Sequence, residues 1–393
     1  MLAFDMRDPN SLSVRGAVSS LLFRSGCAVA LVVLLSSCSA DLPVQREAQP
    51  AEEGVGTVAY SIVCIIHGDG DYLYHDTSGN EYRADEEALA RAKRVALQNP
   101  HAEVLIFHQK PKKSILFLFP VRDGEFYYYR NGRLLAHESY WRDHEQAHFI
   151  PEVGLYRRFH SENHRELARL FLYCGQEIPE FGGAGYDASY PDRPFTVHDL
   201  AGGLKGFLGD SARFDLLVLS SCFGGTPYTI SALGPFARYI IASPDNLHLS
   251  YFDIHSLDRL DLSLGEGEVP AFAKRFAQQS FDRLTRTVQT AVSVAVYDVD
   301  RVQGYLDSVK TVYSQMLTIV KGEPRASPIA FEHCDCAEVR AYVLPAMSDG
   351  VDVFYRSARF GRSKGKQNHS GWECWRERAS QSAGTRTSQP VSQ

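Results

Sequence analysis

The segment Phe214–Gly225, FDLLVLSSCFGG, decides the fold class because a continuous apolar run stops at a cysteine and two glycines follow. A short apolar run of this kind is typical of a strand that is buried on both faces of a parallel sheet. In such sheets the chemistry collects beyond the carboxyl ends of the strands. Cys222 is therefore a candidate nucleophile, since a thiolate just past a strand end can attack a carbonyl carbon.

Two other segments end in the same way. AYSIVCIIHG, residues 59–68, is a continuous apolar run that ends in histidine and glycine, and ARLFLYCG, residues 168–175, ends in cysteine and glycine. A helical pattern that Asp85 caps lies between the first of these strands and the next one, AEVLIFHQ from Ala102. Strand, helix and strand at this spacing indicate a parallel βαβ unit. We therefore predict an α/β fold, with a mostly parallel sheet and helices on both faces.

Several segments add to this sheet. Asn131-Gly132 lies between two β-rich arms and predicts a β-hairpin insertion. SILFLFP, from Ser114, predicts one more strand, and DVFYRSARF, residues 352–360, predicts a strand in a C-terminal extension. Thr196 is expected to cap a helix that follows the glycines at positions 182, 183 and 185.

Composition limits the possible classes of protein. The chain has 393 residues, of which 44% are hydrophobic and 22% are charged, which is ordinary for a folded soluble body. A formal net charge of -6 argues against a broad nucleic-acid-binding surface, so we expect no nucleic-acid partner. The sequence contains no run of eighteen apolar residues, which argues against a multi-pass membrane protein.

Residues 1–37 have the pattern of a secretory signal, with three arginines before the short apolar run CAVALVVLL. LSSC, Leu35–Cys38, resembles a bacterial lipobox, and this resemblance implies that Cys38 carries lipid and anchors the mature chain to a membrane. The alternative is a plain secretory signal with an incidental cysteine. Because Ser39 follows Cys38, the resemblance implies the outer membrane of a bacterial cell envelope, facing the periplasm or the surface. Residues 38–57 read as a flexible tether.

The remaining cysteines lie in an oxidising compartment if the leader is secretory, so disulfides are possible. Cys334 and Cys336 lie in HCDC, and our preferred hypothesis pairs one of them with Cys374. A zinc site there has little support because no second cysteine pair follows. The sequence leaves the connectivity open among these three and Cys174 and Cys222.

A family resemblance rests on four segments: FLYCGQEIPEFGGAGYD (171–187), FDLLVLSSCFGG (214–225), ARYIIASPDN (237–246) and VSVAVYDVDRVQGYLDSV (292–309). Over roughly residues 58 to 320 the chain resembles the clostripain family of caspase-like cysteine peptidases. The resemblance implies that Cys222 is the nucleophile and that the N–H of Gly175 helps to form the oxyanion hole. Cys174 occupies the position of the general-base histidine, and Ser220 replaces an aspartate.

These departures bear directly on catalysis. A neutral thiol at position 174 supplies neither a proton acceptor nor a positive charge, and loss of a general base typically costs about 10²–10⁴-fold in rate. His67, at the end of the first strand, is a candidate surrogate base, with a solvated loop histidine as the alternative. The other candidates are His198, His248 and His255. His160 and His164 have the spacing of a metal pair, but no third ligand is evident, so a solvated helix face is favoured.

Cys174 and Cys222 present a further alternative because they occupy facing catalytic positions. In an oxidising compartment they could form a disulfide, which requires Cα atoms within about 7 Å. The alternative to this disulfide is that Cys174 and Cys222 are two separate, half-buried thiols.

We expect a peptidase-like domain over residues 58–325, a C-terminal strand extension over 326–378 and a disordered tail over 379–393. We expect the chain to be a pseudopeptidase, which binds a peptide or protein ligand in the cleft that corresponds to the active site of the family. The alternatives are an active cysteine endopeptidase that uses Cys222 with a relocated histidine, and a structural or assembly lipoprotein of the envelope. We expect no cofactor and no metal ion.

Overall fold

The computed structural model describes thirteen stretches of the chain: residues 58–70, 72–75, 79–115, 118–142, 149–160, 168–180, 182–209, 213–247, 252, 254–260, 267–304, 306 and 350–361. The predictions for the leader, the tether, the C-terminal tail and residues Cys38, His164, His248, Cys334, Cys336 and Cys374 lie outside the described residues.

A nine-stranded sheet forms the centre of the fold, in the order β13-β12-β11-β10-β9-β1-β4-β7-β8. Its five central strands run parallel, and the two strands at either edge are antiparallel to their neighbours. The strands of this sheet are β1 (Tyr60–His67), β4 (Ala102–Gln109), β7 (Gly124–Arg130), β8 (Arg133–Tyr140), β9 (Ala168–Cys174), β10 (Phe214–Ser220), β11 (Ala237–Ala242), β12 (Val292–Asp298) and β13 (Val351–Arg356). The expected mostly parallel α/β sheet is therefore confirmed.

Helices cover both faces of the sheet. They are α1 (Ala84–Gln98), α2 (Ile150–Phe159), α3 (Val197–Leu208), α4 (Pro227–Leu233) and α5 (Val269–Thr287), with 3₁₀ turns at Gly234–Phe236 and Ile254–Leu257. One apolar core joins α1 and α5 to one face, and a second joins α2, α3 and α4 to the other. Alternate residues of the parallel strands enter the two cores, which explains why these strands read as unbroken apolar runs.

Of the two predicted helix N-caps, one is confirmed and the other is wrong. Thr196 caps α3 as predicted, and its side chain and that of Asp199 form a reciprocal capping box. Asp85, predicted to cap α1, instead lies inside the first turn, since the helix begins at Ala84. The Asp85 carboxylate is buried and pairs with the ring of His108 at 3.0 Å, so a tertiary contact uses the side chain.

The predicted hairpin insertion and the strand predicted from Ser114 have different outcomes. Asn131 and Gly132 adopt φ values of 52° and 73° between β7 and β8, which confirms the hairpin. The single strand predicted from Ser114 is wrong, because the chain there folds back as β5 (Lys113–Ile115) and β6 (Phe119–Val121). All six residues of these two strands are exposed, so the apolar run does not reflect burial.

The other described elements are short. β2 (Leu73–His75) and β3 (Glu81–Arg83) form a separate two-stranded ribbon before α1. The chain is helical again at residues 299–304 after β12. Among the helices that the structure describes, none combines the length and the apolar character needed to cross a bilayer.

Candidate functional site

Three of the predicted site residues lie at one edge of the sheet. The parallel strands β1, β9 and β10 end at His67, Cys174 and Ser220. In register, Cys174 pairs with Ile66 on one side and with Ser220 on the other. Because the carboxyl ends of parallel strands meet at the same edge, this edge is the candidate site.

Cys222 lies on the turn after β10, against the loop 243–247 that follows β11. The N–H of Leu247 donates to its Sγ at 3.3 Å, and the thiol donates to Oδ1 of Asn246 at 3.2 Å. The backbone N–H of Phe223 donates to the carbonyl of Asp245 at 3.2 Å. Cys222 is a half-buried residue whose sulfur lies between two loops.

Gly225 is needed where these two loops meet. Its N–H donates to the carbonyl of Ser243 at 2.8 Å. A Cβ at this position would lie 2.6 Å from Oη of Tyr297 and 2.8 Å from N of Pro244, closer than side-chain carbons approach. A glycine therefore sets the distance between the Cys222 turn and the 243–247 loop.

Cys174 has no character of a base. Its thiol is buried in the apolar core that includes α1, and burial raises its pKa to about 12, against the smaller opposing effects of Arg91 and of a hydrogen bond with Ser220. The thiol therefore stays protonated at neutral pH. Cys174 and Cys222 are both free, so the structure shows two separate thiols and not the disulfide.

A narrow apolar pocket lies beside Cys174. Its lining includes Ile66, Arg91, Leu172, Phe252, Ile254 and a second buried thiol, Cys64. Burial also raises the pKa of Cys64. Both thiols thus behave here as small apolar core side chains.

Gly175 uses its backbone N–H inside the sheet, where it donates to the carbonyl of Ser220 at 3.3 Å. A Cβ at Gly175 would lie 2.6 Å from Oη of Tyr173 and 2.8 Å from Cβ of His67. Close packing therefore explains why residue 175 is a glycine. Its N–H donates to a backbone carbonyl, so this geometry does not fit the predicted role in an oxyanion hole.

His67 is fully buried, and both ring nitrogens have partners. Nδ1 lies 2.6 Å from Oη of Tyr72, Nε2 lies 2.7 Å from Oδ1 of Asp187, and the ring stacks on Tyr186. Burial lowers the pKa of His67, although the hydrogen bond with Asp187 opposes this shift. Neither ring nitrogen is free to take a proton from Cys222, so this geometry does not fit the predicted surrogate base.

A buried ion network lies around His67. Arg142 donates to Asp69 at 2.9 Å and also to Asp187, and its side chain is 3% exposed. Ser189 donates to Asp69 through its N–H and its hydroxyl. Burial opposes ionisation of Asp187, but the hydrogen bond from His67 and the charge of Arg142 hold its pKa well below the ordinary range. The network fixes the glycine-rich loop 182–196 against the carboxyl edge of the sheet.

Sequence analysis missed Arg142 and the role of Asp187. Arg142 lies 73 residues from Asp69 and 45 residues from Asp187 along the chain. No local spacing indicates such a pair. The local signal in the sequence is the pair Tyr186-Asp187, which follows the glycines and ends the segment 171–187 that carries the family resemblance.

Each of the other candidate histidines that the structure describes contacts a polar neighbour. His198 lies 2.7 Å from Oη of Tyr228, His255 lies 2.7 Å from Oδ2 of Asp258, and His160 lies 2.5 Å from Oε1 of Glu103. In the part of the chain that the structure describes, no group of three or more His, Cys, Asp or Glu side chains is placed to hold a metal ion.

Comparison with known proteins confirms the family resemblance. Residues 173–362 match the sequence model of the clostripain family, peptidase family C11. This segment begins one residue before Cys174 and includes Cys222. No curated protein sequence matches the chain.

Solved structures of C11 proteases resemble the fold. One is a secreted C11 cysteine protease from Bacteroides thetaiotaomicron in complex with an irreversible peptide inhibitor, with 13% identity, a TM-score of 0.44, and coverage of 65% of this chain and 69% of that one. Another is an inactive zymogen C11 protease from Parabacteroides distasonis, with 13% identity, a TM-score of 0.42, and coverage of 66% of each chain.

Proposed function

We propose that this chain, of which residues 173–362 match the clostripain family model, is a pseudopeptidase that keeps the family fold and binds a peptide or protein at the Cys222 edge. The observation that carries the proposal is the identity and state of residue 174. The position that the family resemblance assigns to the general base holds a buried thiol whose pKa is raised to about 12.

The chemical consequence follows from the proton balance of acyl transfer. Cys222 must lose a proton to attack a carbonyl carbon, and the leaving amine must gain one. Cys174 holds its own proton at neutral pH and is buried among apolar side chains, so it serves neither step. Loss of the base alone costs about 10²–10⁴-fold, which is enough to leave little turnover from a slow peptidase.

The same edge keeps the features that binding requires. Cys222 is partly exposed, and the loop 243–247 is fixed to the Cys222 turn by two backbone hydrogen bonds. The ion network below holds the loop 182–196 in place. A rigid rim of this kind loses little conformational entropy when a peptide binds.

The location belongs to the proposal as well. A lipid on Cys38 would anchor the mature chain to the bacterial envelope, with the outer membrane as the expected site. Globomycin treatment, which blocks removal of lipoprotein leaders, should cause accumulation of the unprocessed chain. A Cys38→Ala variant that still fractionates with membranes after cleavage at the same position would contradict the anchor.

Binding can be tested with a fluorescent peptide library and the full chain. Cys222→Trp fills the space beside the sulfur and should abolish the anisotropy signal of any bound peptide. Leu97→Trp is the matched control, since Leu97 is 58% exposed at the end of α1, where the chain returns to the opposite edge of the sheet. Equal binding by both variants would place the ligand elsewhere and refute the proposed cleft.

A second candidate function is an active cysteine endopeptidase with a relocated base. The observation that favours it is the contact between the N–H of Leu247 and Sγ of Cys222, because His248 is the next residue in the chain. In that mechanism His248 would take the thiol proton and give it to the leaving amine, and water would then hydrolyse the thioester to release the acyl group as an acid and restore the thiol.

Hydrolysis of a quenched-fluorescence peptide library separates the two candidates. The second candidate requires activity that disappears in Cys222→Ala and in His248→Ala but survives in His255→Ala, which removes a histidine paired with Asp258. The pseudopeptidase requires no hydrolysis that depends on Cys222. If neither binding nor hydrolysis depends on Cys222, the remaining candidate function is a structural or assembly lipoprotein of the envelope.

A further inference from the structure

The β5–β6 hairpin, which is described at residues 113–115 and 118–121, presents apolar side chains to solvent. Ile115 is 60% exposed, Leu118 is 77% exposed, Phe119 is 52% exposed and Val121 is 37% exposed. Large apolar side chains that cluster on one projecting element mark an interaction site in a soluble domain. The packing of the described domain does not explain them, because they contribute to neither of its two apolar cores.

Basic residues surround the base of this hairpin. Lys112, Lys113 and Arg122 are exposed. The two nearby carboxylates, Asp123 and Glu125, offset only part of this charge, because residues 110–125 hold four Lys or Arg residues against these two acids. The charge at the base is therefore positive, although the chain as a whole has a formal net charge of -6.

The polarity changes in order along the hairpin. Lys113 pairs with Val121 at the base, Ile115 pairs with Phe119 farther out, and Leu118 lies in the turn, where its N–H donates to the carbonyl of Ile115 at 3.2 Å. Cationic side chains thus lie at the base and apolar side chains lie toward the tip. This order matches the passage from water through the headgroup layer into the acyl chains of a bilayer.

An exposed tryptophan lies near the same base. Trp141 is 47% exposed and directly follows β8. Arg122 donates to the carbonyl of Ser139 at 2.9 Å, and the N–H of Arg142 donates to Asp123 at 2.8 Å, so the chain on both sides of Trp141 is bonded to the end of the hairpin. Tryptophan is enriched at the membrane–water interface because its ring is apolar and its N–H is polar.

From this arrangement we infer that the β5–β6 hairpin inserts into the surface of a bilayer that contains anionic phospholipid. The exposed side chains of Ile115, Leu118 and Phe119 enter the acyl region. Lys112, Lys113 and Arg122 contact the phosphate groups. This inference is separate from the proposed peptide binding and does not depend on lipid at Cys38. Because the hairpin follows the carboxyl end of β4, insertion would turn the Cys222 edge of the sheet toward the membrane.

The test uses the full chain reconstituted with phosphatidylcholine vesicles, with and without phosphatidylglycerol, and with brominated acyl chains as a quencher. Phe119→Trp reports on the hairpin, Leu97→Trp is the matched control, and the wild-type signal from the three native tryptophans is subtracted. We expect quenching of the added tryptophan at position 119 in the vesicles that contain phosphatidylglycerol, and none at position 97.

Charge provides the second readout. Adding Lys113→Gln to Phe119→Trp should lower the ratio of inserted to free hairpin about five-fold, which is the contribution of one basic side chain at an anionic surface. Both variants change exposed side chains, so far-ultraviolet circular dichroism should match the wild type. Absent quenching at position 119, equal quenching at 119 and 97, or insertion that is unaffected by phosphatidylglycerol would each overturn the inference. A dimer that Phe119→Asp dissociates, without quenching at position 119, would identify the hairpin as a protein interface and overturn it as well.

Discussion

Replacement of Arg142 by methionine tests the ion network below the candidate site. The Arg142 side chain is 3% exposed, and its two partners, Asp69 and Asp187, are fully buried. Methionine keeps much of the volume of the side chain but removes the positive charge. The two carboxylates then remain buried without their guanidinium partner.

The expected loss of stability follows from that burial. Removal of one partner from a buried ion pair costs about 3–5 kcal/mol, because the remaining charge is desolvated without compensation. His67 still bonds Asp187, and Ser189 still bonds Asp69, so the loss should stay within this range although two carboxylates are affected.

Urea denaturation followed by circular dichroism measures this loss as a lower midpoint with an unchanged slope. Arg158→Met is the matched control. Arg158 pairs with Glu138, but the two side chains are 53% and 39% exposed, and a surface pair of this kind contributes about 0–1 kcal/mol. If both variants lose the same small amount, the network does not stabilise the fold and the reasoning is refuted.

Two further predictions concern the same region. The lowered pKa of His67 means that the unfolded chain binds a proton that the native protein excludes, so the free energy of unfolding should fall as pH drops below about 6.5, by up to about 1.4 kcal/mol per pH unit. The lowered pKa of Asp187 should add a loss only in more acidic solution, below about pH 3.8, where this carboxyl is protonated in the unfolded chain. Denaturation at a series of pH values should show the first loss missing in His67→Gln. Gly175→Ala should cost about 1–3 kcal/mol in thermal or urea unfolding, because its Cβ would lie 2.6 Å from Oη of Tyr173. Gly202→Ala, in open space on α3, should be neutral or stabilising, and equal effects of the two alanines would contradict the packing argument.

The central sheet could be predicted because a strand that is buried on both faces needs apolar residues at nearly every position. Each parallel strand is a short, continuous apolar run, and the helices between them repeat with a period near 3.6 residues. The turn at Asn131-Gly132 and the cap at Thr196 are also local, since the chemistry that fixes each one lies within a few residues.

The same kind of pattern failed at residues 114–120. This run is as apolar as β10, but the residues that it contributes to β5 and β6 are exposed, because composition does not show what covers a side chain. Asp85 failed for a related reason. A cap is a local preference, and the buried contact with His108 is a tertiary one that replaces it.

The sequence predicted which candidate residues lie at the edge of the sheet, but it did not predict which side chains they contact. The strand ends placed His67, Cys174 and Cys222 at one edge of the sheet. However, only the structure shows that His67 is buried between Tyr72 and Asp187, and that Asn246 and Leu247 contact the Cys222 sulfur. These partners come from distant loops, and no spacing in the sequence selects them.

The most direct test of the pseudopeptidase is covalent labelling of Cys222 by a library of peptidyl acyloxymethyl ketones, followed by mass spectrometry of the full chain. These reagents need an activated thiolate in a working cleft. We expect no peptidyl adduct on Cys222, whereas iodoacetamide should still alkylate the thiol of this half-buried residue. A stoichiometric peptidyl adduct on Cys222 would show that another group activates the sulfur and would contradict the account.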